Sequence, residues 1–128
     1  MNLLLDTHTF LWYSTDASAL STKARDLITD GLNQPYLSIA SLWEIAIKVQ
    51  LGKLRLHAPF EEVVGYVFAQ RRLRVLQIAQ PHLCKLVALP LFHRDPFDRM
   101  IVAQSLAEGM PIAGNDPAMD AYGVARIW

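Results

Sequence analysis

The stretch Asn2-Leu3-Leu4-Leu5-Asp6, near the start of the chain, is an apolar run that ends at a carboxylate. An uninterrupted run of this length predicts a short strand buried on both faces, which is typical of a parallel sheet covered by helices. Such sheets bind their ligands beyond the carboxyl ends of the strands. We therefore expect Asp6 to lie at the edge of the sheet where a ligand would bind.

Apolar runs and helix signals alternate along the rest of the chain. Further strands are predicted at residues 36–38, 74–78, 112–113 and 125–127. Helices are predicted at residues 10–13, 23–29, 60–71, 81–89 and 96–109, with a short one from 116 and a long one from Ser38 or Ser41 to about 51. This alternation favours the α/β class, with a parallel sheet between two layers of helices. The length of 128 residues corresponds to one domain, residues 1–128.

The composition indicates the cellular compartment but says little about the function. Lys and Arg total 12 and Asp and Glu total 12, so net charge predicts no partner and a nucleic-acid binder would need a local basic patch. Cys84 is the only cysteine, which fits a reducing cytosol, and it is expected to be buried and unreactive. No apolar run is long enough to span a membrane, and Asp6 interrupts the first run far below the length of a secretory signal. We therefore expect a cytoplasmic protein without a membrane partner.

Four carboxylates follow or interrupt apolar segments, where a globular protein has little structural use for them. Asp6 ends the first strand, Glu44 lies inside an apolar helix, Asp98 lies in the first turn of another, and Asp116 follows a short apolar stretch. If the fold brings them together, a pair about 4 Å apart repels by roughly 4 kcal/mol at an effective dielectric of about 20. A hard divalent cation offsets such repulsion, and a cation in an acidic pocket is suited to phosphoryl transfer.

Each of these acids also has an ordinary structural alternative. Asp6 fits a turn residue, and Glu44 fits a capping box begun by Ser41. Asp98 fits a carboxylate that complements its helix dipole, an effect of roughly 0.3–1 kcal/mol. Asp116 fits an N-cap. The four alternatives are independent of one another, so their joint occurrence in this order favours a shared site.

Several blocks of the sequence, taken in order, resemble PIN-domain proteins and, more narrowly, the VapC-type toxins of type II toxin–antitoxin systems. These blocks are Leu3-Leu4-Leu5-Asp6-Thr7-His8-Thr9-Phe10-Leu11-Trp12, Ser41-Leu42-Trp43-Glu44-Ile45, His93-Arg94-Asp95-Pro96-Phe97-Asp98-Arg99, Asn115-Asp116-Pro117 and Tyr122-Gly123-Val124. The resemblance implies a three-layer α/β/α PIN domain with ribonuclease activity that depends on Mg²⁺ or Mn²⁺. It also implies a homodimer that is held inactive by an antitoxin encoded alongside it.

The same resemblance assigns the catalytic and metal-binding residues. The acidic residues of the family fall on Asp6, Glu44, Asp98 and Asp116. Because Mg²⁺ keeps several waters and takes only one or two carboxylates directly, we expect Asp6 and Asp98 to be the direct ligands. Glu44 and Asp116 would then hold coordinated waters or a second ion. Water activated by the metal, and no nucleophilic side chain, would cleave the RNA.

One position departs from the family pattern. Members often carry Thr or Ser just before the fourth acid, where this chain has Gly114 and Asn115. A hydroxyl at that place would orient a carboxylate or a coordinated water. The substitution therefore bears on how strongly Asp116 supports the metal site.

Positive charge at the rim of an acidic pocket would be needed to attract RNA. The first candidates for substrate binding flank the third acid and are Arg94 and Arg99. The second candidates follow Glu44 along the chain and are Lys48, Lys53 and Arg55. Lys48 also stands four residues after Glu44, a spacing that favours an ion pair on a helix. The densest basic cluster, Arg71, Arg72 and Arg74, ends a predicted helix, where cations are favoured without any ligand.

Other functions fit parts of this pattern. A structure-selective DNA nuclease would keep the same acidic metal site and differ only in its substrate. A non-catalytic phosphoryl-receiver domain would need a Lys after a later strand, and none is evident. A metal-free binding module would leave the repulsion among the acids unrelieved. Zinc is not indicated, because His57, His82 and His93 lack the spacing of paired ligands.

Overall fold

The central element of the fold is its first strand, which lies in the middle of a parallel sheet. The computed structural model describes residues 1–128. Its strands are β1 (Asn2–Leu5), β2 (Gln34–Ser38), β3 (Arg74–Leu76), β4 (Ile112–Ala113) and β5 (Arg126–Ile127). They lie in the order β3-β2-β1-β4-β5, and every neighbouring pair is parallel. Strand β1 is therefore flanked by one strand from each half of the chain.

Helices cover both faces of this sheet. They are α1 (Thr7–Ser14), α2 (Thr22–Thr29), α3 (Ile39–Gln50), α4 (Phe60–Ala69), α5 (Gln80–Ala88) and α6 (Pro96–Glu108), with a 3₁₀ helix at Pro117–Tyr122. Because side chains alternate along a strand, Leu3 and Leu5 pack into one core with residues of α1 to α4. Leu4 packs into the other core with residues of α6 and the 3₁₀ helix. The predicted three-layer α/β/α architecture is confirmed.

The residues that cap helices α3 and α6 test the structural alternatives for Glu44 and Asp98. Ser38 is the N-cap of α3, since its Oγ accepts a hydrogen bond of 3.0 Å from the amide of Ala40. Glu44 therefore lies in the second turn, and the capping box with Ser41 is wrong. Asp95 caps α6 through a 2.8 Å hydrogen bond from the amide of Phe97, and Asp98 lies in the first turn, where its helix-dipole alternative places it.

Strand β3 and helix α4 are shorter than predicted, and the prediction that Cys84 is buried is wrong. Strand β3 ends at Leu76 and α4 ends at Ala69, each two residues earlier than predicted. Cys84 is exposed, not buried, because α5 packs on its neighbour mainly through the face that carries His82. None of the helices combines the length and apolar character needed to cross a bilayer.

Candidate metal centre

The carboxyl ends of the strands place the predicted acids at one edge of the sheet. Asp6 directly follows β1, and Asp116 follows β4 after two residues. Because β1 and β4 are parallel neighbours, with Leu5 opposite Ala113, these two acids leave the sheet side by side. Glu44 enters from the second turn of α3, and Asp98 enters from the first turn of α6.

Asp6 is the most constrained of these acids. The residue is 3% exposed, and its Oδ1 atom is buried without any hydrogen-bond partner. Burial raises the pKa of its carboxyl, and the nearby charges of Glu44 and Asp116 raise it further. Native proteins rarely leave a buried polar oxygen unsatisfied, so this atom needs a partner that the protein itself does not supply.

Glu44 is equally buried, at 2% exposure, but each of its carboxylate oxygens accepts a hydrogen bond. Its Oε1 accepts a 2.8 Å hydrogen bond from the hydroxyl of Thr7, and its Oε2 accepts a 2.7 Å bond from Nζ of Lys48. The hydroxyl of Thr7 also lies 2.9 Å from that of Ser41. The predicted ion pair between Glu44 and Lys48 is confirmed, and Thr7 is a positioning contact that the sequence analysis did not single out.

Asp98 points toward the same cluster of negative charge. Burial raises the pKa of its carboxyl to about 7, and the charges of Asp6, Asp95 and Glu44 add to the effect. Ionised Asp98 is therefore unfavourable among the protein groups alone. A carboxyl with this environment is a strong candidate for a functional group.

Asp116 is joined to a histidine that the sequence analysis did not assign to the site. Nε2 of His93 lies 2.9 Å from Oδ2 of Asp116 and 3.2 Å from Oδ2 of Asp98. Burial opposes ionisation of Asp116, but the hydrogen bonds from His93 and from the amide of Ala118 outweigh it and lower its pKa. The bond to Asp116 raises the pKa of His93. The other oxygen of Asp116 caps the 3₁₀ helix, as its structural alternative predicted.

These side chains form a compact set of potential ligands. One ligand atom from each of His93, Asp98 and Asp116 lies within 4.8 Å of the others. Asp6 and Glu44 border this group, since their charges act on Asp98. Oxygen donors with a buried, unsatisfied carboxylate oxygen among them suit a hard divalent cation such as Mg²⁺ or Mn²⁺. The residues present therefore fit such an ion.

A family model described as "PIN domain" matches residues 3–125. The chain belongs to the PIN-domain family. Similar solved structures include FitAcB from Neisseria gonorrhoeae, with 19% identity, a TM-score of 0.65 and coverage of 98% of this chain and 96% of that one. VapBC2 from Rickettsia felis, bound to a promoter DNA fragment, has 12% identity, a TM-score of 0.68 and coverage of 99% and 98%. At these identities the likeness concerns the fold, and no curated protein matches the chain.

Gly114, two residues before the fourth acid of this PIN domain, occupies a sterically restricted position. A Cβ atom built on Gly114 would lie 3.0 Å from Cβ of Asp6. The backbone that follows β4 therefore passes very close to the buried carboxylate. A larger residue at position 114 would press on Asp6, whereas glycine leaves that side chain in place.

The predicted substrate-binding residues occupy different surroundings in the PIN domain. Arg94 is exposed next to His93, whereas Arg99 donates hydrogen bonds of 2.8 and 3.0 Å to the carbonyls of His93 and Arg94. Lys53 and Arg55 are exposed in the segment after α3. The basic cluster of residues 71–74 precedes or begins β3. It therefore lies at the amino ends of the strands, whereas the acids lie at the carboxyl ends.

Proposed function

We propose that this PIN domain is a metal-dependent endoribonuclease and the toxin of a toxin–antitoxin pair. The observation that carries the proposal is the buried Oδ1 atom of Asp6, which lacks a hydrogen-bond donor and lies among three further acids. Family membership adds support, because the acids stand at the positions that resemble the PIN-domain pattern.

The four acids are of two kinds. Two have a carboxylate oxygen without a protein donor, and the other two have both oxygens hydrogen-bonded by the protein. Asp6 Oδ1 has no partner, and Asp98 has only His93 near its Oδ2, so these two are the proposed direct ligands. Glu44 and Asp116 hold protein donors and are proposed to orient coordinated water. A bound Mg²⁺ or Mn²⁺ supplies an activated water and neutralises charge on the scissile phosphate.

The substrate is proposed to be single-stranded RNA, guided by basic side chains beside the acids. Arg94 is the leading candidate, because it is exposed directly before the helix that carries Asp98. Lys53 and Arg55 are exposed after α3 and extend the same proposal. Arg99 and Lys48 already contact protein acceptors, so we propose that they shape the rim on which the RNA lies.

Arg94→Ala is expected to weaken RNA binding and to lower its salt dependence. One lost phosphate contact to a single strand reduces the slope of log K against log salt concentration by about 0.7. The measurement is RNA binding at several salt concentrations, made with Ca²⁺ so that cleavage does not interfere. Arg71→Ala is the matched control, since Arg71 precedes β3 at the opposite edge of the sheet. Equal slopes for Arg94→Ala and the natural chain would exclude Arg94 from the phosphate contacts.

An antitoxin and a second copy of the chain are proposed as partners. The similar solved structures are FitAB and VapBC assemblies, two of them bound to DNA. Several large apolar side chains of this chain are exposed, including Leu83, Val87, Leu91 and Phe92 on α5 and just after it. Large exposed apolar side chains close together in the sequence favour a protein–protein contact on this part of the chain.

The purified chain is expected to cut single-stranded RNA with Mg²⁺ or Mn²⁺ and to be inactive in EDTA. A DNA flap of similar length tests the alternative substrate class. Cleavage of the flap in preference to RNA would identify the DNA nuclease instead, and cleavage in EDTA would contradict the metal requirement. Controlled expression in bacteria should arrest growth, and co-expression of the protein encoded in the adjoining reading frame should relieve the arrest.

A further inference from the structure

His93 is held by hydrogen bonds on four sides. Its backbone amide donates to the hydroxyl of Tyr122 at 2.8 Å, and its carbonyl accepts from Arg99 at 2.8 Å. Its Nδ1 lies 3.1 Å from the backbone nitrogen of Asp95, and its Nε2 faces Asp116. The imidazole is therefore fixed between the start of α6 and the 3₁₀ helix.

The contact at Nδ1 determines which ring nitrogen carries the proton. A backbone N–H only donates, so Nδ1 of His93 must present its lone pair to the amide of Asp95. The neutral ring then carries its hydrogen on Nε2, and that hydrogen points at carboxylate oxygens. A nitrogen that carries a proton has no lone pair for a metal. His93 thus lies at ligand distance from Asp98 and Asp116 without being free to bind the ion itself.

We infer that His93 is a positioning residue: its Nε2–H donates to Asp116 and lies close to Asp98, and this arrangement fixes which carboxylate oxygen faces the cation. This inference rests on the metal-dependent function proposed above. Oδ2 of Asp116 accepts from His93, and Oδ1 accepts from the amide of Ala118, so both of its oxygens have protein donors. Asp98 meets His93 only through Oδ2, which leaves Oδ1 for the cation.

The same contact offsets the repulsion between the two acids. Two carboxylates with the Nε2–H group between them stay close at less cost than carboxylates that face each other directly. Without the Nε2–H group, Asp98 and Asp116 are expected to separate, and the geometry offered to the ion would loosen. Loss of such an outer contact typically lowers metal affinity by about 10–100-fold.

Two amide variants separate the two nitrogens of the ring. His93→Gln places an amide N–H near the position of Nε2 and keeps a donor for the carboxylates. His93→Asn places its amide near the position of Nδ1 and loses that donor. Calorimetric titration with Mn²⁺ is expected to give affinities within about threefold of the natural chain for His93→Gln and about 10–100-fold weaker for His93→Asn. Circular dichroism and thermal unfolding in EDTA confirm that both variants fold.

Two spectroscopic measurements distinguish a positioning residue from a ligand. Long-range ¹H–¹⁵N NMR spectra in EDTA are expected to show the tautomer of His93 with its proton on Nε2. Pulsed EPR of the Mn²⁺-loaded chain is expected to show no directly coordinated histidine nitrogen. The opposite tautomer, a directly bound nitrogen, or equal loss of affinity in the Gln and Asn variants would each overturn the inference about His93.

The outcomes for His93 and for the proposed function are separable. If the natural chain binds Mn²⁺ but does not cleave RNA, the proposed nuclease activity is wrong. The NMR and EPR spectra then decide the positioning role of His93 by themselves. Failure of the natural chain to bind Mn²⁺ at millimolar concentration would overturn both. RNA cleavage together with nitrogen coordination would overturn the positioning role alone.

Discussion

Asp98→Asn is expected to lower metal-dependent RNA cleavage by more than about a hundredfold while making the cation-free protein more stable. Changes to outer contacts of a metal cost about 10–100-fold in affinity or activity, so loss of a proposed direct ligand should exceed that range. Burial and the charge of Asp6 raise the pKa of Asp98 to about 7, so above that pH the fold carries an unfavourable charge. A neutral amide of the same shape removes it.

The stability gain follows from the size of this pKa shift. One pKa unit corresponds to about 1.4 kcal/mol, so we expect the free energy of unfolding in EDTA at pH 8 to rise by more than about 1 kcal/mol. Cleavage at saturating Mn²⁺ and urea unfolding in EDTA measure the two effects. Asp26→Asn is the matched control, because Asp26 is an exposed carboxylate on α2 and its loss should change stability by less than about 0.5 kcal/mol.

A substitution that lowers activity but raises stability indicates that the charge it removes serves function and not the fold. Full cleavage by Asp98→Asn would remove Asp98 from the proposed ligands of the cation. A variant that lost both activity and stability would instead indicate that Asp98 supports the fold, as an acid that complements its helix dipole would.

The second large effect is a fall in the stability of the cation-free protein as the pH rises from about 4 to about 7. The carboxyl of Asp98 has a pKa of about 7 in the folded chain, against an ordinary value of 3.8. Between these values the folded state keeps a proton that the unfolded state has released. The free energy of unfolding should therefore decrease by up to about 1.4 kcal/mol per pH unit in this window.

The direction in which each other group of the cluster changes the pH dependence of stability can also be predicted. Burial also raises the pKa of Asp6, so Asp6 adds to the fall. The pKa of Asp116 is lowered, so its contribution is present above its ordinary value of 3.8 and is lost only in more acidic solution. The pKa of His93 is raised by Asp116, so its contribution is present below 6.5 and is lost at higher pH.

Urea unfolding of the natural chain and of Asp98→Asn, from pH 4 to pH 8 in EDTA, isolates the part that belongs to Asp98. The difference in free energy between the two proteins should grow steadily across the window. Saturating Mn²⁺ should reverse the trend for the natural chain, because the ion binds ionised carboxylates and stabilises the folded state that holds it. Parallel pH profiles in EDTA would show that Asp98 is not the group responsible.

The elements that carry the acids could be predicted because their signals are local. Three consecutive leucines before Asp6 predicted the central strand, and Asp95-Pro96 predicted the start of α6. Glu44 stood out as a charge within an apolar helix, and its pairing with Lys48 followed from their spacing. Each of these inferences needed only a few neighbouring residues.

The contacts of His93 were not predictable in the same way. It lies in an irregular segment between α5 and α6, without the periodicity that fixes the direction of a side chain. Its contact to Asp116 spans 23 residues of sequence and depends on how two loops meet above the sheet. Arg99 illustrates the same limit, because nothing local indicates that its guanidinium binds the carbonyl of His93.

The strand order has a consequence for the timing of activity in a cell. The first strand pairs with a strand that is synthesised more than a hundred residues later, since Leu4 lies opposite Ile112. Asp6 therefore cannot meet Asp98 and Asp116 until the chain has been synthesised beyond β4. If the proposed ribonuclease activity is correct, a growing polypeptide that has not yet formed β4 lacks the assembled acids and is expected to leave nearby transcripts intact.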